Sequence, residues 1–197
     1  LQVFQEEDES FNGLCYACKK YYHDPYGDCI KVVMKKEVRM SIDPSTLPIK
    51  AITDRKIKTE TCQDYGVRVA VSESDGQTVV KSFYPDTKGG VVTGWEERNH
   101  IDKRFLSIGD RKGEVELWGT GIAKKNNGRK LFITEGRLDA MSLYQVLIEG
   151  TVAKYKHLKP SVVSLTRGAS GALKDIINNR DFVESFNEVV LVLDNDK

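Results

Sequence analysis

No apolar run in this sequence approaches the roughly 20 residues that a membrane-spanning helix needs. A basic-then-apolar leader is missing too, and the expectation is a soluble, intracellular protein. Charge of one sign is also missing: 30 Lys and Arg stand against 29 Asp and Glu, for a net charge of +1. That balance excludes a polybasic nucleic-acid tail. It leaves room for a basic groove, because a groove is local and net charge is not. Cysteine is scarce, with four in 197 residues, at Cys15, Cys18, Cys29 and Cys62. So few do not make a disulfide framework, and in a reducing compartment a close pair more often binds metal. Internal repeats and low-complexity tracts are absent. What is present is 40% hydrophobic residues, enough to bury one full domain plus attachments. The chain opens on Leu1 and closes on Lys197, shortly after a strand-like run, and reads as a piece of something longer.

Residues 1–28 are turn-rich and irregular, and the stretch containing Pro44 and Pro48 reads as a linker. The run 49–65 predicts one or two short helices, with Thr59 as a cap and Gly66 just past the end. From Val67 to Ile108 the pattern has period two. Val67/Val69/Val71 and Val79/Lys81/Phe83 flank a turn at Ser74-Asp75-Gly76, and a second turn falls at Lys88-Gly89-Gly90, predicting a small antiparallel unit. The final third changes rhythm. Strands are predicted at Lys130–Thr134, Ser161–Leu165 and Val189–Leu193. Between them lie a helix with Leu138, Met141, Leu143, Tyr144 and Leu147 on one face, stopping at Gly150, and a helix over 171–179. Strand–helix–strand–helix–strand is the pattern of a parallel α/β sheet.

In such a sheet functional groups collect beyond the carboxyl ends of the strands. The first strand delivers Glu135, the second Thr166-Arg167-Gly168, and the third Asp194 and Asp196, which share a side because strand periodicity is two. Carboxylates this close repel one another and call for a cation, and hard oxygen ligands suit Mg2+ or Mn2+ rather than zinc. Acidic residues after strands also cap helices, and Asp139, one turn into a helix, fits that simpler reading equally well.

Three segments, ITEGRLDAMSL, VVSLTRGASGA and VVLVLDND, resemble the three motifs of the Toprim domain found in primases, topoisomerases and related nucleases. Ahead of them NGLCYACKKY, IKTETCQDYGV and DKRF resemble, in order, the primase half of bifunctional bacteriophage primase–helicases. The resemblance implies an α/β fold with a Toprim (parallel, Rossmann-like) sheet over 130–197, truncated at its C-terminus. Ahead of it would come a mixed α/β subdomain over 51–129, a linker over 30–50 and a partial zinc-ribbon remnant over 1–29. It implies DNA primase activity, with RNA primers made from ribonucleoside triphosphates on single-stranded DNA. A helicase domain in the same or an associated chain, and a cytoplasmic location (that of a bacterial host, if phage-encoded), follow from the same resemblance. Glu135 matches the Toprim glutamate, a metal ligand and candidate for proton transfer, and Asp194 and Asp196 match the metal-binding D-x-D pair. Arg98, Lys103 and Arg104 fall where related primases place nucleotide-contacting cations, with Arg98 and Lys103 as catalytic candidates. Arg167 is a further candidate for phosphate or template contact.

Cys15-x-x-Cys18 is half of a tetrahedral Zn2+ site. The other half is either His23 with Cys29, or a second pair upstream of Leu1, as the phage resemblance implies. Tyr16, Tyr21 and Tyr22 could stack on bases or fill a small core, and Cys62 on its short helix is expected to be buried. Rival readings are a Toprim module that grips single-stranded DNA without synthesis, and a Toprim nuclease.

Overall fold

The computed structural model describes residues 2–6, 9–17, 19–25, 42–110, 113 and 115–194. The chain divides into two compact units, Leu1–Ile42 and Asp43–Lys197. In the first, β1 (Gln2–Gln5), β2 (Phe11–Leu14) and β3 (Tyr21–His23) form an antiparallel sheet in sequence order. The sequence pattern reads as irregular here because strands of three or four residues are too short to display an alternation. Cys15 follows β2, and its amide donates to the Lys20 carbonyl at 3.0 Å. Cys18 and Cys29 lie outside the described residues. Tyr16, Tyr21 and Tyr22 are exposed.

The second unit begins with a 3-10 turn, Pro44–Thr46, capped by Asp43, whose carboxylate accepts from the Ser45 amide at 2.9 Å. A second 3-10 turn at Thr53–Arg55 leads to α1 (Thr59–Tyr65). The cap of α1 differs from expectation. Lys58 is the N-cap, with Thr59 already inside the helix, and in place of a capping side chain Gln145 Oε1 accepts from the Lys58 amide at 2.9 Å. Gly66 ends the helix at φ 68°, in the left-handed conformation that a side chain resists.

Four strands follow as an antiparallel sheet in chain order: β4 (Arg68–Val71), β5 (Val79–Lys88), β6 (Val91–Asn99) and β7 (Phe105–Gly109). The turn after β4 is built by Asp75, whose carboxylate accepts from the Gln77 and Thr78 amides at 2.8 and 2.9 Å. Beyond α2 (Thr120–Asn126) lies the parallel sheet, in the order β10 (Glu188–Val192), β8 (Lys130–Thr134), β9 (Ser161–Ser164). The crossover from β8 to β9 carries α3 (Arg137–Gly150), and that from β9 to β10 carries α4 (Ala172–Asn178) and α5 (Arg180–Glu184). No described helix is long and apolar enough to cross a membrane.

Side chains alternate across β8 and β9 and feed two cores. On one face Val162 packs with Met141 and Tyr144 of α3, Trp118, and Ile52, Cys62, Tyr65, Val69 and Tyr84 from the first half of the unit. That cluster joins the two sheets. Tyr65 stacks on Trp118 with ring centroids 4.7 Å apart, and its hydroxyl donates to the Val162 carbonyl at 2.9 Å. On the other face Leu131, Ile133 and Val163 pack with Leu117, Ala123 and Phe182.

Candidate active site

β8 ends at Thr134, level with Val192 at the end of β10. Glu135 therefore leaves the sheet beside Leu193, with Asp194 one residue beyond it on the neighbouring strand. Parallel pairing thus places both carboxylates at the carboxyl edge of the sheet. Asp196 lies outside the described residues, and among those described no three His, Cys, Asp or Glu side chains come together as a metal site.

Glu135 opens onto a cleft of about 860 Å³ between the two sheets of the second unit. One wall is the start of α3, with Glu135, Arg137, Asp139 and Ser142; the antiparallel sheet supplies Tyr84, Glu96, Arg98 and Phe105. The turn after β9 adds Thr166, Arg167 and Gly168, and Arg55 comes from the 3-10 turn before α1. Three carboxylates, of Glu96, Glu135 and Asp139, and four guanidinium groups, of Arg55, Arg98, Arg137 and Arg167, thus line the cleft, an arrangement suited to an anionic ligand that has a proton to lose.

Of the cations expected from the sequence, the structure brings Arg98 and Arg167 to this cleft. Arg98 lies opposite Phe105 in the β6–β7 register, with its guanidinium carbon 5.2 Å from the ring centroid. Its Nε is buried without a hydrogen-bond partner among the described residues, a donor that costs free energy until an acceptor reaches it. Lys103 and Arg104 do not border the cleft. β6 ends at Asn99, so both sit in the exposed turn to β7, Lys103 at φ 58° and Arg104 paired with Asp102 at 3.3 Å.

Arg167 is held by a carboxylate that no sequence motif marks. Asp175 of α4 is fully buried and accepts from the Thr166 and Arg167 amides at 2.8 and 3.0 Å. It also ion-pairs with the Arg167 guanidinium, whose Nη2 donates to the Gly113 carbonyl at 2.9 Å. The turn that presents Arg167 is thereby fixed from behind.

Comparison with known proteins agrees with this architecture. Over 149 residues, 74% of its length, the chain is 30% identical to a DNA helicase/primase of Enterobacteria phage T3, of which it spans 23%. It superposes on the primase fragment of the bacteriophage T7 primase–helicase with a TM-score of 0.62 at 24% identity, covering 99% of this chain and 74% of that one. The chain is similar to the primase part of phage primase–helicases. A chain in the structure of the bacteriophage T7 lagging-strand DNA polymerase, interacting with primase domains bound to an RNA/DNA hybrid and dTTP, matches at 28% identity. There the TM-score is 0.61, with 76% of this chain and 68% of that one covered. No protein-family model matches.

Arg137 holds a place in the site that the sequence does not reveal beyond its position in a motif. It is nine-tenths buried, with Nη2 2.6 Å from Asp86 Oδ1 on β5 and Nη1 ion-paired to Glu96 on β6. Burial opposes its charge, but the Asp86 and Glu96 carboxylates outweigh burial and hold the guanidinium protonated above its ordinary value. No local signal could have found it, since both partners lie more than forty residues upstream.

Ser82, His100 and Asp54 form a hydrogen-bonded line, with Ser82 Oγ 2.7 Å from Nε2 and Asp54 Oδ2 3.3 Å from Nδ1 of His100. Ser82 is fully buried, so no substrate reaches its oxygen and a hydrolytic nucleophile is excluded. The line instead ties the turn that carries Arg55 to β5.

Proposed function

We propose that this chain is the primase portion of a phage-type primase–helicase, joining ribonucleoside triphosphates into short RNA primers on a single-stranded DNA template. The observation that carries this reading is the cleft that Glu135 lines together with Arg98 and Arg167. The chain spans about a quarter of the curated relative it matches, so the linked helicase belongs to the proposal as well, as does the Toprim assignment of the parallel sheet.

The 3′-hydroxyl oxygen of one nucleotide attacks the α-phosphorus of the next, the bond to pyrophosphate breaks, and the hydroxyl proton is taken by a base. Glu135 is positioned as that base, at the start of a helix anchored to both sheets. Arg98, whose buried Nε lacks a partner among the described residues, supplies positive charge for the triphosphate, and Arg167, whose Nη1 and Nη2 already bind Asp175 and the Gly113 carbonyl, borders the cleft beside it. Hard-oxygen chemistry at the strand ends fits Mg2+ or Mn2+, which Glu135, Asp194 and Asp196 would hold. When bound, such an ion lowers the pKa of the attacking hydroxyl and neutralises charge on the leaving pyrophosphate. In the first unit, Cys15 and Cys18 are the candidate half of a zinc site, completed by His23 and Cys29 or by a pair upstream.

The test uses the full-length protein with labelled ribonucleotides, a single-stranded template and Mg2+ or Mn2+, beside a Glu135→Gln variant. Primer synthesis that drops by about 10²–10⁴ in the variant, with template binding retained, is expected. Tight binding without synthesis by the unaltered protein, or cleavage of the template, overturns the reading.

A further inference from the structure

The end of the parallel sheet opposite Glu135 carries a concentration of positive charge that the cleft does not use. No acidic residue occurs between Glu116 and Glu135, or between Glu149 and Asp175. Within those stretches Lys124, Lys125, Arg129 and Lys130 precede and enter β8, while Lys154, Lys156 and Lys159 precede β9. The two segments are held side by side: Asn126 Nδ2 donates to the Pro160 carbonyl at 2.8 Å, and the Gly128 amide to Ser161 Oγ at 3.3 Å. Three of the cations are paired, Lys124 with Glu116, Lys130 with Glu188 and Lys159 with Asp64. Lys125, Arg129, Lys154 and Lys156 form no ion pair among the described residues and are exposed. A chain with a net charge of only +1 has therefore gathered uncompensated charge in one place.

The same surface carries exposed apolar side chains. All of residues 152–159 are exposed, and Tyr155 lies between Lys154 and Lys156 with Lys154 Nζ 5.4 Å from its ring centroid. The Tyr155 ring is about half exposed and open to a ligand. Lysines that meet phosphates, alternating with a ring that accepts a base face, are what a single nucleic-acid strand requires.

We propose that residues 124–130 and 154–159 form a second contact surface for a single nucleic-acid strand, apart from the cleft. At about 3.3 Å per residue, β8 separates Lys130 from Glu135 by roughly 17 Å. The strand is gripped through its backbone, without sequence readout, at a distance from the chemistry. The surface stands whether or not the cleft makes primers.

The test is binding of an oligo-dT strand to the 197-residue chain across a salt series. Lys154→Glu/Lys156→Glu and Lys125→Glu/Arg129→Glu should each weaken binding and reduce the slope of log affinity against log salt. The reduction should be about 0.7 for each phosphate that the variant no longer neutralises, with the thermal midpoint unchanged. Tyr155→Ala should weaken binding and leave the slope alone. Slopes unchanged in both double variants overturn the proposal. So does a result in which polyglutamate displaces the strand at equal charge and Tyr155→Ala has no effect, which would mark a surface for an acidic protein. Reduced slopes here, together with no primer made by the full-length protein, overturn the proposed function and leave this surface intact.

Discussion

Arg137 Nη2 lies 2.6 Å from Asp86 Oδ1, and through this pairing the helix that begins beside Glu135 is fastened to the second strand of the antiparallel sheet. The two sheets meet through their apolar core, but at the cleft they meet through charge. An ion pair this deep contributes little net stability relative to a well-packed apolar pair, while removal of one partner strands the other. Its value lies in fixing where Glu135 sits relative to Arg98. Arg137→Met should destabilise the protein by about 3 kcal/mol or more in urea unfolding, and Arg137→Lys by less, since one amine keeps the charge without the fork.

Gly136 sits between Glu135 and Arg137 with an extended backbone that any residue can adopt, at φ −114° and ψ 158°. Its restriction is spatial: a Cβ there would lie 2.5 Å from Asp139 Oδ2. Gly136→Ala should therefore leave the unfolding free energy within about 1 kcal/mol while pushing the Asp139 carboxylate across the cleft wall. Primer synthesis should fall on the order of tenfold to a hundredfold, read as initial rate at saturating nucleotide.

Burial raises the pKa of Glu116, but hydrogen bonds from Thr87 and the Gly90 amide, together with Lys124, outweigh it, and the carboxyl titrates below its ordinary value of 4.5. A depressed carboxyl stabilises the fold above its unfolded pKa and withdraws that contribution as pH falls through the folded one. The thermal midpoint of the unaltered protein should fall between pH 7 and pH 3 by more than that of Glu116→Gln, with the difference developing below about pH 4.5.

Burial pushes the Cys62 thiol up to about 11. At pH 8 the native protein then holds about one thiolate in a thousand at this position, and iodoacetamide should leave Cys62 unmodified in peptide maps until urea unfolds the second unit. In metal-free protein Cys15, which is only partly buried, should react first.

The regular parts of this fold are legible in the sequence where period and punctuation agree. The predicted strands at Lys130–Thr134, Ser161–Leu165 and Val189–Leu193 match β8, β9 and β10 to within a residue or so. The Ser74-Asp75-Gly76 turn joins β4 to β5, and Cys62 is buried as expected. α2 escapes notice because seven residues between Gly119 and Asn127 present too little periodicity. At the cleft, Glu135 and Arg167 can be placed because strand ends are readable. Arg137 with Asp86, and Arg167 with Asp175, cannot, because a buried ion pair leaves no trace until the fold brings its halves together.

β10 pairs with β8 on one side, and among the described residues its other side has no partner. Val189, Leu191 and Val192 are exposed there. A bare margin with an open row of amides and carbonyls invites the margin of a neighbouring molecule to zip onto it. A lysine at Leu191 would place charge beside that row and discourage such pairing.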